Sequence, residues 1–262
     1  LAMADDQGWG EMGYQGHKDL KTPHFDAMAK AGLRFDRFYA AAPVCSPTRA
    51  SCLTGRHPNR MGVFKWGHPI RTGEITIAET LKGAGYRTGG VGKWAMGGVE
   101  TSGFPLKNGF DFWMGYLDQG QAHNYYPTHL WRNGQKYPLP GNVLSDHPKA
   151  RGRVASRKGT WSHPVMTEQA FAFIRESGSQ PFLLHVHWTI PHANNEGGRV
   201  HGDGMEVPDY GVYKEQDWAN TSKGQAAMVS WMDRDVGRLV DLLRELKLDR
   251  RTLVIFTSDN GP

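Results

Sequence analysis

Two polar pairs near opposite ends of the chain have side chains that can hold a cation. Asp5 and Asp6 stand directly after a short apolar run, and Asp259 and Asn260 stand just after another, residues 252–257. If both runs are strands of one parallel sheet, their carboxyl ends lie along a single edge. Three carboxylates and an amide can then meet there across the length of the chain. A hard oxygen set of this kind suits Ca²⁺ or Mg²⁺ rather than zinc. Taken singly, each pair is also an ordinary turn former, since Asp and Asn side chains bond their own backbone. A third cluster is Cys45-Ser46-Pro47-Thr48-Arg49. Pro47 suits the first turn of a helix, and a helix N-terminus stabilises an anion beside it. Arg49 offers a permanently charged, bidentate fork. The plain reading of Cys45 is a buried structural thiol, and Cys52, in the same helix-like run, is expected to pack as a small hydrophobe.

An alternation of helix and strand signals supplies the frame for these residues. A helix is expected over 25–31 after Thr22-Pro23. Thr76 with Glu79 three residues on forms a capping-box pattern for a helix to about residue 84, stopped by Gly85. Residues 86–91 and 182–187 read as strands, with a helix over 165–176 between them. Met228, Met232, Val236, Leu239, Leu243 and Leu246 recur at steps of three and four, which places them on one helical face leading into the final strand, 252–257. Helix-to-strand repetition of this kind argues for a layered α/β fold with a largely parallel sheet and ligands at the carboxyl ends of its strands. Residues 133–163 and 193–222 are polar, rich in Gly and Pro and aperiodic, so they are read as surface excursions that can wall a cleft.

Composition narrows the function classes. Thirty-one basic against 26 acidic side chains leave a charge of +5, scattered rather than clustered, which gives no nucleic-acid arm. No apolar run approaches the roughly 18 residues of a membrane span. Two cysteines are too few for a disulfide scaffold. Thirty-three Gly and 15 Pro forecast long loops, while nine Trp and 39% hydrophobic residues still furnish a core.

Residues 45–55, Cys-Ser-Pro-Thr-Arg-Ala-Ser-Cys-Leu-Thr-Gly, resemble the signature of the type I, formylglycine-dependent sulfatases, in their arylsulfatase-like form. In that family the first Cys of a Cys-x-Pro-x-Arg element is oxidised after synthesis to formylglycine. Four further stretches match in the family's order: Asp5-Asp6-Gln7-Gly8-Trp9-Gly10, Gly92-Lys93-Trp94, Pro191-His192 and Ser258-Asp259-Asn260-Gly261. The resemblance implies an alkaline-phosphatase-like α/β fold with a mostly parallel central sheet and helices on both faces. It also implies that residues 1–262 are a sulfatase catalytic core, truncated at both ends and without the family's C-terminal subdomain. By resemblance, Asp5, Asp6, Asp259 and Asn260 hold one Ca²⁺, with the modified Cys45 completing its shell. Arg49 holds the hydrated aldehyde and the carboxylates in register, Lys93 contacts sulfate, and His192 protonates the leaving oxygen. The implied substrate is a sulfated carbohydrate or an aryl sulfate, the implied maturation partner is a formylglycine-generating enzyme, and the implied location is exported: periplasmic, extracellular or lysosomal. The chemistry is intelligible. Attack by sulfur on a sulfate ester would leave a stable adduct, whereas an aldehyde hydrate attacks with one hydroxyl and expels sulfate when the other loses its proton.

Two departures accompany the match. Family members commonly carry a histidine two places beyond the active-site lysine, where this chain has Ala95, which moves no proton. The substitute is expected to be His123, in the polar and aromatic stretch 121–126 where related enzymes place sulfate-contacting residues. The second departure is the absence of a further lysine beyond the Asp-Asn-Gly element. His185 and His187 alternate on one strand face and would make a zinc pair only with a third ligand, so they are read as packing residues. Trp131, Tyr125 and Tyr126 are candidates for stacking on a sugar ring. Two other functions stay in view: a phosphatase or phosphodiesterase of the same superfamily, and a non-catalytic binder of sulfated glycans.

Overall fold

The computed structural model describes residues 1–262. Nine strands run β1 (Ala2–Ala4), β2 (Arg87–Lys93), β3 (Phe112–Tyr116), β4 (His129–Arg132), β5 (Gln135–Pro138), β6 (Val143–Leu144), β7 (Ala155–Arg157), β8 (Phe182–His187) and β9 (Phe256–Ser258). Seven helices accompany them: α1 (Pro23–Ala31), α2 (Cys45–Thr54), α3 (Pro58–Met61), α4 (Ile77–Gly83), α5 (Ser162–Ser177), α6 (Asn195–His201) and α7 (Asn220–Glu245). The main sheet has the order β5-β4-β3-β2-β8-β1-β9. Its run from β3 to β9 is parallel, and β4 and β5 form an antiparallel margin. β6 and β7 pair separately.

Helices cover both faces of this sheet, as the α/β reading requires. Successive residues of a strand point to opposite faces. On β2 a side chain at Gly89 would meet Phe173 of α5, and one at Gly90 would meet Trp113. Phe173 belongs to the larger apolar cluster, with Leu184, Val186, Met228, Met232 and Val236 from β8 and α7. Trp113 belongs to a second cluster with Ala50, Leu53, Met61, Ala78, Trp94 and Phe110, beneath α2, α3 and α4. The two clusters therefore lie on opposite sides of the sheet. Gly92 is the tightest point: its φ is +100° and an added Cβ would fall 1.8 Å from the His187 carbonyl, so β2 and β8 approach here as only glycine allows. No helix is long and apolar enough to cross a membrane.

The local signals behave as their physics suggests. Thr76 and Glu79 form the reciprocal cap of α4, with Thr76 N–H donating to Glu79 Oε2 at 2.8 Å and Glu79 N–H to Thr76 Oγ1 at 3.1 Å. The stripe from Met228 to Leu243 is the buried face of α7, and Leu246 lies just past its last turn. Three expectations need correction. The final strand is Phe256–Ser258, not 252–257: its ladder with β1 spans only three positions, and Leu253 stays exposed. Cys52 does not pack as a small hydrophobe but is exposed on α2, because the helix buries the Cys45, Arg49 and Leu53 side instead. Residues 133–163 and 193–222 are not purely irregular, since the first hold β5 and the β6–β7 pair and the second hold α6.

α5 and α7 are joined across their apolar contact by a buried pair, His163 Nε2 to Asp235 Oδ2 at 2.8 Å. Burial opposes ionisation of Asp235, yet hydrogen bonds from His163 and Arg234 hold its carboxyl below the usual range. Its contribution to stability is thus present above pH about 4 and is lost as pH falls through the depressed folded value. Asp235→Asn should lower unfolding free energy at neutral pH by about 3 kcal/mol and flatten the acid limb of the stability curve, measured by urea denaturation from pH 7 to 3.

Candidate active site

The parallel register of β1 on β9 pairs Ala4 with Ser258, so the next residues, Asp5 and Asp259, leave the sheet side by side. Two cross-links hold the strand ends together: Asp6 N–H donates to Asp259 Oδ1 at 3.2 Å, and Gln7 N–H to Ser258 Oγ at 3.0 Å. Asp6 sits at φ +56°, a left-handed conformation that Asp tolerates better than most residues. Asn260 Nδ2 donates to Asp6 Oδ1.

Helix α2 starts at this corner. Cys45 is its first residue, and its Sγ lies 3.4 Å from Asp5 Oδ1 and 4.0 Å from Asp6 Oδ1. One turn on, Arg49 has no exposed side-chain surface. Its Nε donates to Asp259 Oδ2 at 2.9 Å, its Nη2 lies 3.3 Å from Asp5 Oδ1, and its Nη1 donates to the Lys93 carbonyl at 3.1 Å. Lys93 is the last residue of β2, which runs two residues beyond the expected 86–91. Its Nζ donates to both Asp5 oxygens, at 2.7 and 3.0 Å, and lies 3.3 Å from Cys45 Sγ. His192, in the loop after β8, places Nε2 3.2 Å from Asp6 Oδ2 and Nδ1 2.6 Å from the Ala193 carbonyl. Ligand atoms of Asp5, Asp6, Cys45 and His192 all fall within 4.8 Å of one another.

His123 joins from a different element. Its ring stacks on that of His192 at a centroid distance of 4.7 Å and an interplanar angle of 17°. Its Nδ1 lies 3.1 Å from Glu196 Oε2, and Glu196 Oε1 accepts from Arg153 Nη1 at 3.1 Å. Neither Glu196 nor Arg153 was singled out in the sequence, because both fall in stretches read as surface excursions. One signal was present: Asn194 is the N-cap of α6, accepting from Gly197 N–H, and it marks a helix that begins beside the Pro191-His192 element.

Other expected residues take structural places. Tyr125 and Tyr126 are buried, so neither face is open to a sugar. The Tyr125 hydroxyl donates to the Thr189 carbonyl at 2.9 Å and meets that of His192, bracing the loop that carries the imidazole. Trp131 is half-buried on β4, in the sheet's antiparallel margin, under Lys136. His185 and His187 bond each other at 3.0 Å against Phe110 and Trp113, and His187 Nδ1 reaches the Lys93 carbonyl at 3.3 Å. Burial lowers His185 to about 3, so this is a neutral packing pair beneath β2. Ala95 is buried at φ +64°, and its carbonyl accepts from Ser46 Oγ at 2.7 Å.

Electrostatics concentrate at the strand ends. Burial disfavours a charged Asp5, but Lys93, His192 and Arg49 hold its carboxyl far below the ordinary range. Burial raises Asp259 to about 6 despite Arg49, because the charge of Asp5 is beside it. Burial, reinforced by Asp5, pushes the Cys45 thiol up to about 12. Burial and the neighbouring His192 and Lys93 bring His123 down to about 4. Asn260 Oδ1 is buried with no hydrogen-bond partner. An unspent carbonyl oxygen among three crowded carboxylates is a hard donor set, and these residues fit a divalent cation of the Ca²⁺ type.

Known proteins resemble this chain along its whole length. The model of the Sulfatase family matches residues 1–262. N-acetylgalactosamine-6-sulfatase of Sus scrofa is 33% identical, aligned over 100% of this chain and 49% of its own length. Arylsulfatase A of Homo sapiens is 32% identical over 100% of this chain and 51% of its own. The crystal structure of Ps i-CgsB in complex with k-i-k-neocarrahexaose superposes with a TM-score of 0.82 at 28% identity, covering 100% of this chain and 58% of that one. The chain spans about half the length of the curated relatives it matches. The parallel sheet covered on both faces is the alkaline-phosphatase-like architecture.

A cation held by these oxygens stabilises the folded state by mass action. At a Ca²⁺ concentration about 100 times its Kd the gain is about 2.7 kcal/mol, or roughly 5–10 °C in Tm for a chain of this size. Differential scanning fluorimetry with Ca²⁺ and then with excess chelator should show the rise and its reversal, and Asp259→Ala should abolish the Ca²⁺-dependent shift.

Proposed function

The chain belongs to the Sulfatase family, and we propose that it forms the catalytic core of a sulfuric ester hydrolase acting on a sulfated carbohydrate or an aryl sulfate. The observation that carries the reading is the meeting of Cys45, at the head of α2, with Lys93, Arg49, His192, Asp5 and Asp6 at one sheet edge, where Arg49 also holds Asp259. When bound, Ca²⁺ on Asp5, Asp6, Asp259, Asn260 and the modified Cys45 supplies a Lewis acid for the sulfate oxygens, and formylglycine at Cys45 supplies a hydrated aldehyde as the nucleophile.

The remaining work falls to the chain's own side chains. Lys93, a compact ammonium beside Cys45, offsets the charge of the sulfate oxygens. Arg49 links Asp5 to Asp259 and keeps both carboxylates aimed at the same corner. The N-terminus of α2 adds a favourable field for an anion beside Cys45. His192 donates through Nδ1 to the Ala193 carbonyl and turns Nε2 toward Asp6 Oδ2, so in the imidazolium form the Nε2 proton is the one handed to the departing oxygen. His123 stands in for the imidazole that Ala95 cannot provide: its burial keeps it neutral near pH 7, with a lone pair on one ring nitrogen. Conversion of Cys45 requires a formylglycine-generating enzyme, and the resemblance to exported sulfatases supports an exported location as part of this proposal.

A binder of sulfated glycans without turnover is favoured by Ala95 alone. A phosphatase with two transition metals would need a second set of His and Asp ligands, and the ligand atoms gather at a single centre. Cys45→Ala should reduce hydrolysis of 4-nitrophenyl sulfate by at least about 10³-fold. Undiminished turnover in that variant overturns the mechanism. Intact-mass measurement of the wild type checks the modification, since the aldehyde exchanges the sulfur and two hydrogens of the thiol for one oxygen.

A further inference from the structure

We propose that Glu196 is a positioning residue whose carboxylate, clamped by Arg153, holds His123 as the tautomer protonated at Nδ1 and so makes Nε2 the ring's proton acceptor. The inference rests on the sulfatase reading of the site and names a part of it that the sequence motifs do not contain.

The argument begins with what a buried carboxylate can do. The Glu196 side chain is only 4% exposed, and an ionised carboxylate accepts hydrogen bonds and donates none. Its Oε2, 3.1 Å from His123 Nδ1, therefore requires that nitrogen to carry the hydrogen. In a neutral imidazole the lone pair then resides on Nε2, at the opposite edge of the ring, which has no protein partner. The second oxygen of Glu196 is spent on Arg153, so the carboxylate is anchored at both ends. Burial works against its charge, and the bonds from His123 and Arg153 outweigh that and hold it ionised, below the usual range.

The mount is as constrained as the carboxylate. Asn194 caps α6 by accepting from Gly197 N–H at 2.9 Å, and its Nδ2 donates to the Arg153 carbonyl at 3.0 Å and to Glu206 Oε2 at 2.7 Å. One side chain thus fixes both the helix that bears Glu196 and the backbone that bears Arg153. The face of the His123 ring is set by stacking on His192, whose Nε2 is itself 3.2 Å from Asp6. Face and edge are then both determined, and the ring keeps no free rotation. This is the base-plus-orienting-group arrangement that activated nucleophiles need, built from a 3-10 turn at Gln121–His123 and α6 because the position two beyond Lys93 holds a methyl group. On proton transfer Nε2 would take the proton of the hydroxyl left on the sulfated hydrate at Cys45, that oxygen would form the aldehyde C=O while the C–O bond to sulfate breaks and sulfate leaves with the electron pair, and the Glu196 carboxylate would offset the charge of the cationic ring until its proton passes to water.

The test combines spectroscopy of the enzyme without substrate with steady-state kinetics on 4-nitrophenyl sulfate. The ¹⁵N shifts of His123 should report a neutral ring protonated at Nδ1 in the wild type and a tautomer mixture in Glu196→Ala. Glu196→Ala should lower kcat about 10- to 100-fold with little change in KM, and Glu196→Gln, which keeps the shape and one acceptor oxygen, should recover part of the loss. The double variant His123→Ala/Glu196→Ala should be no slower than His123→Ala, since Glu196 acts only through the ring. A wild-type ring protonated at Nε2, an unchanged kcat in Glu196→Gln and Glu196→Ala, or additive losses in the double variant would each overturn the positioning role while leaving the sulfatase reading intact. An unchanged kcat in His123→Ala removes the base itself and this inference with it. Loss of the sulfatase reading is recognised separately, by a Cys45→Ala variant as active as the wild type.

Discussion

Mutual repulsion among Asp5, Asp6 and Asp259 is the constraint around which the rest of this molecule is arranged. The β1–β9 register makes Asp5 and Asp259 neighbours, and both are buried. Two like charges about 4 Å apart repel by about 4 kcal/mol at an effective dielectric near 20, and a third carboxylate adds to this. The chain answers with Arg49 and Lys93, both without exposed surface and both bonded to Asp5. Their placement in turn requires α2 to start at the sheet edge and β2 to run to Lys93. Gly92 has no side chain to hold β8 away, and this lets β2 pack closely enough to deliver the ammonium.

The compensation is incomplete, and the residue of it is informative. Asp259 remains lifted to about 6 although Arg49 bonds it, and Asn260 presents a buried oxygen with no donor. A fold stabilised for its own sake would not bury an unpaired amide oxygen among acids. Stored electrostatic tension of this kind is what a cation relieves, and it sits where the helix terminus, the lysine and the arginine have already made the surroundings receptive to an anion.

The centre is built in two layers with different mechanical character. Asp5, Asp6, Cys45, Arg49, Lys93 and Asp259 sit on or directly beside strand ends and one helix, where backbone hydrogen bonds fix them. His192, His123 and Arg153 come from loops and short turns and Glu196 from the short helix α6, and they owe their order to side-chain bonds: Tyr125 beneath the His192 loop, Asn194 between α6 and Arg153. Loop-borne groups can change between relatives without disturbing the sheet, which is the physical basis for proposing His123 in place of an imidazole at position 95.

Residue spacing alone located much of the architecture. The cap at Thr76, the stripe along α7, the strand at 182–187 and the Asp pairs after apolar runs are local patterns, governed by backbone geometry within a turn or two, and such patterns are written in consecutive residues. Pro47 in the motif around Cys45 likewise pointed to a helix starting there. Contacts between residues distant in the chain were out of reach of that reading. The length of β9 depends on its partner β1, the side of α2 that is buried depends on where Arg49 finds its carboxylates, and Tyr125 became a strut because a carbonyl 64 residues away lies above it. Glu196 is the clearest case: in sequence it is one acid in a polar stretch, and only the packing of α6 beside the 3-10 turn at Gln121–His123 brings it to His123. Hydrogen bonding and burial act at a few ångströms of space whatever the separation along the chain, so which polar groups meet is decided by the tertiary fold.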